Sequence, residues 1–327
     1  MKPKVYITMP IPKEVEAYIA KHCDYKIWDK QETIPQEILT EEMAYAEGLL
    51  TSKAVISKEF LAQAPRLKIV SNMAVGYDAF DLEAMKEKKV LGTHTPYVLD
   101  ETVADLAFGL VLSTARKMPE LDRWVKEGNW HKKQDKEKVF GVDVHHSTLG
   151  IVGMGRIGEK IARRAAFGFE MDVLYHSNSK KPELEEKYGI RYSDLDSLLA
   201  VSDFVLLIVP LTGATRHMIG EKQFDLMKPT SILINCSRGP VVDEKALIQA
   251  LQEKKIRGAG LDVYETEPVE PDNPLLQMPN VVTMPHIGSA THQTRFDMAM
   301  KAAENLVAGV TGKVPPNVVK ELRSLIE

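Results

Sequence analysis

The stretch "GMGRIG" narrows the choice of fold more than any other part of this 327-residue chain. It sets Gly153, Gly155 and Gly158 in GxGxxG spacing, directly after the apolar run "LGIVG" and directly before "RIGEKIARR", which has helical spacing. Strand, tight turn and helix in that order form the phosphate-binding unit of a dinucleotide domain. The first glycine permits the turn, the second lets a pyrophosphate approach the backbone, and the third lets helix and strand pack closely. The helix start adds unpaired N–H groups and a favourable dipole. Glycine spacing alone recurs in loops by chance; the flanking strand and helix give it meaning here.

The strand expected next, "MDVLYHS", ends in an unusual way. A dinucleotide-binding strand in this place usually ends in an acid about 20 residues past the glycines, bonded to the ribose 2′-hydroxyl. This chain has His176, Ser177, Asn178, Ser179, Lys180 and Lys181, and no acid before Glu183. Two hydroxyls and an amide can donate hydrogen bonds, the lysines add charge, and Arg156 in the glycine turn is a further cation. Without an acid to repel a 2′-phosphate, the expected cofactor is NADP(H), with NAD(H) as the alternative.

The rest of the chain alternates in the same manner. "KVYITMP", "YKIWD", "GLLT", "LKIVSNMAVGYD" and "VLGTHTP" read as strands in the first hundred residues, with "PKEVEAYIAKH" and "EEMAYA" helical between them. After residue 147, "STLGIVGMG", "MDVLYHS", "SDFVLLIVPL", "SILINCSRG", "AGLDVYETEP" and "NVVTMPHIG" form a second series. Strands alternating with helices argue for parallel sheets. "DETVADLAFGLVLSTARKM" reads as a helix with apolar residues on more than one face, a pattern of burial between domains or subunits. "PELDRWVKEGNW" continues helically, "HKKQDKEKVFGVDVHH" reads as an exposed polar excursion, and a last helix spans "SATHQTRFDMAMKAAENLVAGVTG". The expected fold is therefore α/β, with two units in series and hinges near residues 100 and 288.

Three ionisable residues fall at expected carboxyl ends of strands, where ligands bind in open α/β sheets. Arg238 follows "ILINCS", Glu267 follows "GLDVYET" and His286 follows "VVTMP". Reduction of a 2-oxo acid needs a hydride at carbon and a proton at oxygen. An imidazole exchanges protons near neutral pH and suits the second task. A carboxylate can orient the ring and favour its protonated form. A guanidinium fork suits a carboxylate or keto oxygen. Singly, each has an ordinary structural explanation; it is their joint placement that carries weight.

Composition removes other classes. With 42 basic and 46 acidic residues, net charge −4, the balance argues against bulk nucleic-acid binding, which favours a basic surface, and leaves room for a local basic pocket. The two cysteines, Cys23 and Cys236, show no CxxC spacing, so neither a disulfide framework nor a metal site is expected, and a reducing, cytoplasmic setting fits. No run approaches 18 apolar residues, and the N-terminus has no apolar signal core, so neither a membrane span nor a signal peptide is expected.

Several long motifs together resemble one family. "MAVGYD", "TVADLAFGLVL", "LGIVGMGRIG", "SDFVLLIVPLT", "INCSRGPVVDEKAL", "AGLDVYETEP" and "PHIGSATHQTR" occur in the order found in the D-isomer-specific 2-hydroxyacid dehydrogenases, over nearly the whole chain. "PHIGSATHQTR" is similar to the branch of glyoxylate/hydroxypyruvate and 2-ketogluconate reductases. The resemblance implies two doubly wound domains, a flavodoxin-like substrate domain (residues 1–98 and 289–327) and a Rossmann cofactor domain (99–288), with an active-site cleft between them. It implies Arg238, Glu267 and His286 as catalytic trio, with His286 as proton donor in reducing small 2-oxo acids to D-2-hydroxy acids. It implies that the Val75 and Gly76 amides hold the substrate carboxylate and that Arg295 contributes to the substrate site. The bulk beyond C2 would be read by loops near 51–53, Met73 and Arg295. Cofactor contacts would come from Thr102, Gly153, Gly155, Arg156, Ile157, Gly158, Ser177, Asn178, Ser179, Lys180, Pro210, Thr215, Cys236, Asp262 and Gly288, with Asp262 on the nicotinamide carboxamide. It also implies a homodimer, for which the apolar helix after Asp100 is the candidate surface. Some relatives on this fold act as dinucleotide-sensing corepressors; the intact trio argues for an enzyme.

Overall fold

A computed structural model describes residues 1–30, 32–52, 54–131 and 136–327. Lys53 and part of the polar excursion, residues 132–135, lie outside the described residues. The chain divides into two compact units, Met1–Leu99 with Ala290–Glu327, and Asp100–Ser289.

In the first unit, β1 (Lys4–Ile7), β2 (Asp24–Ile27), β3 (Gly48–Thr51), β4 (Ile69–Asn72) and β5 (Leu91–Thr93) form a parallel sheet in the order β2-β1-β3-β4-β5. This is the flavodoxin-like order. β3 and β4 are buried along their whole length, as a parallel strand covered on both faces must be. Val5, Ile7, Leu50 and Ile69 face helices Lys13–His22 and His292–Val310, where Ile19, Ala302 and Leu306 meet them. Tyr6, Leu49 and Val70 point the other way, toward Met43, Phe60, Met85 and Leu322. "LKIVSNMAVGYD" is too long for one strand: four residues pair, and the rest forms a loop.

In the second unit, β6 (Thr148–Val152), β7 (Asp172–His176), β8 (Arg191–Tyr192), β9 (Phe204–Leu207), β10 (Ile232–Asn235), β11 (Gly258–Leu261) and β12 (Val281–Thr283) form a parallel sheet, β12-β11-β10-β9-β6-β7-β8. Chain order reverses between β6 and β9, which makes their carboxyl ends the ligand-binding crevice of a Rossmann domain. Helices Asp100–Ala115 and Arg156–Gly168 cover one face, packing Ala104, Leu110 and Ile161 on Leu149, Ile151 and Ile234. Leu198, Phe224 and Leu247 cover the other, against Val205, Leu207 and Leu233.

Helix Asp100–Ala115 requires a correction. Its apolar residues suggest a subunit surface, yet Val103, Ala104, Ala107, Phe108, Leu110, Val111 and Ala115 are buried within its own unit. It wedges between β10, β11 and helix Arg156–Gly168, and that crowding explains its several apolar faces. The exposed apolar side chains come later, at Met118, Val125, Trp130 and Phe140. Lys117, in the left-handed region at φ 55°, ends the run, and helix Met118–Lys126 buries none of its residues.

Candidate active site

The glycine turn sits at the carboxyl end of β6. Gly153 has φ +114°, a conformation that glycine adopts without cost, and a Cβ there would lie 2.5 Å from the Ile208 carbonyl oxygen. A Cβ on Gly158 would run into the Gly153 carbonyl oxygen. A Cβ on Gly155, at the cap of helix Arg156–Gly168, would meet nothing within 4 Å. Two glycines are therefore required by packing, and the third leaves open space at the N-terminus of a 13-residue helix, a kind of place that suits an anion.

At the end of β7, His176 is held by its ring Nδ1 at 3.2 Å from the Ser193 carbonyl. Ser177 Oγ donates to the Ser179 carbonyl at 2.6 Å, which folds the segment into a tight loop. Lys180 lies over the Tyr192 ring, its Nζ 5.2 Å from the ring centre. The backbone N–H of Lys181 is tied to Tyr175 Oη, and Lys181 caps helix Pro182–Tyr188. The neighbouring acids are engaged: Glu185 accepts from Tyr175 Oη, and Asp194 caps Ser197. Arg156 Nε donates to Asp100 at 3.0 Å, which fixes the guanidinium beside the turn.

Arg238, Glu267 and His286 follow β10, β11 and β12, three adjacent strands. Glu267 Oε2 lies 2.7 Å from His286 Nδ1, so Nε2 is the ring atom turned to other chemistry. Glu267 Oε1 accepts from the Tyr264 amide at 3.2 Å. Burial raises the Glu267 carboxyl, but the His286 bond and charge, the Tyr264 amide and the Arg238 charge outweigh it and hold it below its ordinary range. Arg238 is placed by Asn235, whose Oδ1 accepts from Ser237 N and Oγ and whose Nδ2 donates to the Arg238 carbonyl.

His286 is itself in the left-handed region at φ 55°, which is costly for a non-glycine residue and recurs where geometry is part of function. Asp262 holds it there. One carboxylate oxygen accepts from the Ile287 amide at 2.7 Å and the other from the Gly288 amide at 2.9 Å. Both oxygens of Asp262, expected on the nicotinamide carboxamide, also serve this loop. Burial pushes the Asp262 carboxyl up, against those two amides and His286. Burial, and after it the Asp262 charge, also push the Cys236 thiol above its ordinary range.

Of the other expected cofactor residues, Thr215 Oγ1 donates to the Pro210 carbonyl at 2.7 Å and closes that loop. Thr102 and Ile157 are half-buried on their helices. In the first unit, Val75 and Gly76 lie in the loop after β4, and Arg295 is exposed near the start of helix His292–Val310. A second histidine–carboxylate pair escapes sequence reading: His217 Nε2 lies 2.9 Å from Glu265 Oε1, while the Glu265 amide donates to Glu244. Among the described residues no group of three His, Cys, Asp or Glu side chains could hold a metal ion, and no helix is long and apolar enough to cross a membrane.

Comparison with known proteins agrees with this architecture. The family model for the D-isomer specific 2-hydroxyacid dehydrogenase NAD binding domain matches residues 108–288. A glyoxylate/hydroxypyruvate reductase B of Klebsiella pneumoniae is 49% identical over 321 residues, 98% of each chain. The TT0316 protein of Thermus thermophilus superposes with a TM-score of 0.89 at 38% identity, covering 97% of this chain and 99% of that one. An NADPH-dependent glyoxylate/hydroxypyruvate reductase of Sinorhizobium meliloti, solved with NADP and malonate, gives 0.86 at 31% identity, covering 98% of each. With the glycine cradle and the three strand-end residues in place, the chain belongs to the D-isomer-specific 2-hydroxyacid dehydrogenase family of oxidoreductases.

Proposed function

We propose that the protein reduces small 2-oxo acids, glyoxylate and hydroxypyruvate first and 2-ketogluconate as a third candidate, to D-2-hydroxy acids with NADPH. The observation that carries the reading is the 2.7 Å bond between Glu267 and His286 Nδ1. It leaves Nε2 to give a proton to the keto oxygen as the carbonyl carbon is reduced. The bound dinucleotide supplies the hydride. Arg238 grips the carboxylate or keto oxygen, and the Val75 and Gly76 amides take the carboxylate. Glu267 keeps the ring oriented and compensates its charge. In the reverse direction neutral His286 accepts the alcohol proton.

The choice of NADPH rests on Ser177, Asn178, Ser179 and Lys180, with no acid in the sequence between His176 and Pro182. The reductases of Klebsiella and Sinorhizobium support the substrate class. The deciding experiment is a 2-oxo acid panel with both cofactors. A higher kcat/KM with NADPH on glyoxylate or hydroxypyruvate is expected; preference for NADH would remove the cofactor assignment, and no turnover would remove the reaction. We also propose a cytoplasmic homodimer, supported by the exposed Met118, Val125, Trp130 and Phe140 and by two buried free cysteines. A solution mass of one 36.6 kDa chain would overturn the dimer.

A further inference from the structure

The loop after β4 is anchored by three successive carbonyls. The Ala74 oxygen accepts from the Thr95 amide at 2.9 Å, and the Val75 oxygen from His94 Nδ1 at 2.9 Å. The Gly76 oxygen accepts from Asn72 Nδ2 at 2.8 Å. A trans peptide directs its C=O and the following N–H to opposite sides. Pinning these carbonyls therefore turns the amides of Val75, Gly76 and Tyr77 away from residues 72, 94 and 95. Among the described residues, none of those three amides donates to a protein backbone acceptor. Successive N–H groups of this kind suit an anion.

The anchors are themselves fixed. A carbonyl can only accept, so His94 carries its proton on Nδ1. The His94 amide donates to the Asn317 carbonyl, and its carbonyl accepts from Asn305 Nδ2 at 3.1 Å. Asn305 is fully buried and Asn72 is 6% exposed. The His94 ring also meets the edge of Tyr77, with centroids 5.3 Å apart and planes at 84°.

We propose that Asn72 and His94 are positioning residues of the substrate-carboxylate cradle. By holding the carbonyls of Gly76 and Val75 they aim three amides, Tyr77 as well as Val75 and Gly76, at the carboxylate of the 2-oxo acid. The assignment rests on the reductase reading, which supplies that carboxylate.

The test compares Asn72→Ala, His94→Phe and His94→Asn with the parent protein. Phenylalanine keeps the aromatic edge but has no donor; asparagine restores a donor near the Nδ1 position. Glyoxylate kinetics with NADPH and calorimetric titration of oxalate into the protein–NADPH complex are the readouts. Asn72→Ala and His94→Phe should raise KM and the oxalate Kd about tenfold or more, with kcat and the NADPH Kd changed less than about threefold. His94→Asn should recover most of the loss. Oxalate binding within about twofold of the parent in both donor-less variants would overturn the proposal. So would a loss that His94→Asn leaves unrepaired and that follows the fall in melting temperature. A parent protein reducing no 2-oxo acid would sink the reductase reading alone, and oxalate titration would still decide the cradle.

Discussion

Gly155 and Gly158 stand three residues apart at one helix start, yet a methyl group on the first would enter open space and on the second would strike the Gly153 carbonyl. Folding and ligand binding are separated there. Gly155→Ala should leave the melting temperature of the unliganded protein nearly unchanged and weaken NADPH about tenfold or more, because the methyl takes the pyrophosphate's place. Gly158→Ala should cost about 1–3 kcal/mol through overpacking, roughly 2–4 °C of melting temperature for each kcal/mol. Undiminished NADPH affinity in Gly155→Ala, by fluorescence titration, would contradict this account of the cradle.

His286→Ala should lower kcat by about 10²–10⁴-fold, the usual contribution of general acid–base catalysis. A fall of less than about tenfold in single-turnover reduction would exclude His286 as proton donor.

Glu267 has a depressed carboxyl, so its contribution to stability is present above its ordinary value of 4.5 and is lost as pH falls through the lowered folded value. The pair is partly open to solvent, so about 1 kcal/mol is expected. In urea titrations near neutral pH, the parent protein should exceed Glu267→Gln, and the margin should close as pH falls through the lowered carboxyl value. A margin that widened in acid would reverse the sign.

Asparagine at 262 has one acceptor oxygen where Ile287 and Gly288 require two. Asp262→Asn should cost about 1–3 kcal/mol for the amide left unpaired. It should also lower kcat more than it raises KM, because His286 loses its left-handed setting. Unchanged kcat would show that the loop holds itself.

The His217–Glu265 pair is half-exposed, so breaking it should change stability by less than about 1 kcal/mol. Glu265 is two residues from Glu267, and its amide is also held by Glu244. His217→Ala should therefore lower kcat by about threefold to tenfold with little change in melting temperature, and parent-like kcat would deny the pair a positioning role.

Local patterns reveal what depends on neighbours in sequence. The glycine turn, the alternation of strands and helices and the trio after β10, β11 and β12 are all of this kind. Long-range pairings are not legible. Nothing near Asp262 announces that it holds amides 25 and 26 residues away. Nothing in "GTHTP" shows that His94 pins Val75, and nothing in "RHMIG" that His217 meets Glu265. The helix after Asp100 misleads because hydrophobicity reports burial without naming the surface that covers it. Packing inside one unit and packing between subunits draw on the same residues.

The placement of helix His292–Val310 has a consequence for synthesis. It covers β3 and β4, and Ser71 Oγ donates to the Ala302 carbonyl across 231 residues. The strands of the first unit are made before the inserted unit, and this helix after it. Asp100–Ser289 is continuous and can close its own core before that helix exists. The inserted unit is thus free to mature first, while Leu50 and Ile69, beside the early helix Lys13–His22, wait for the second helix of their face until that unit has been translated.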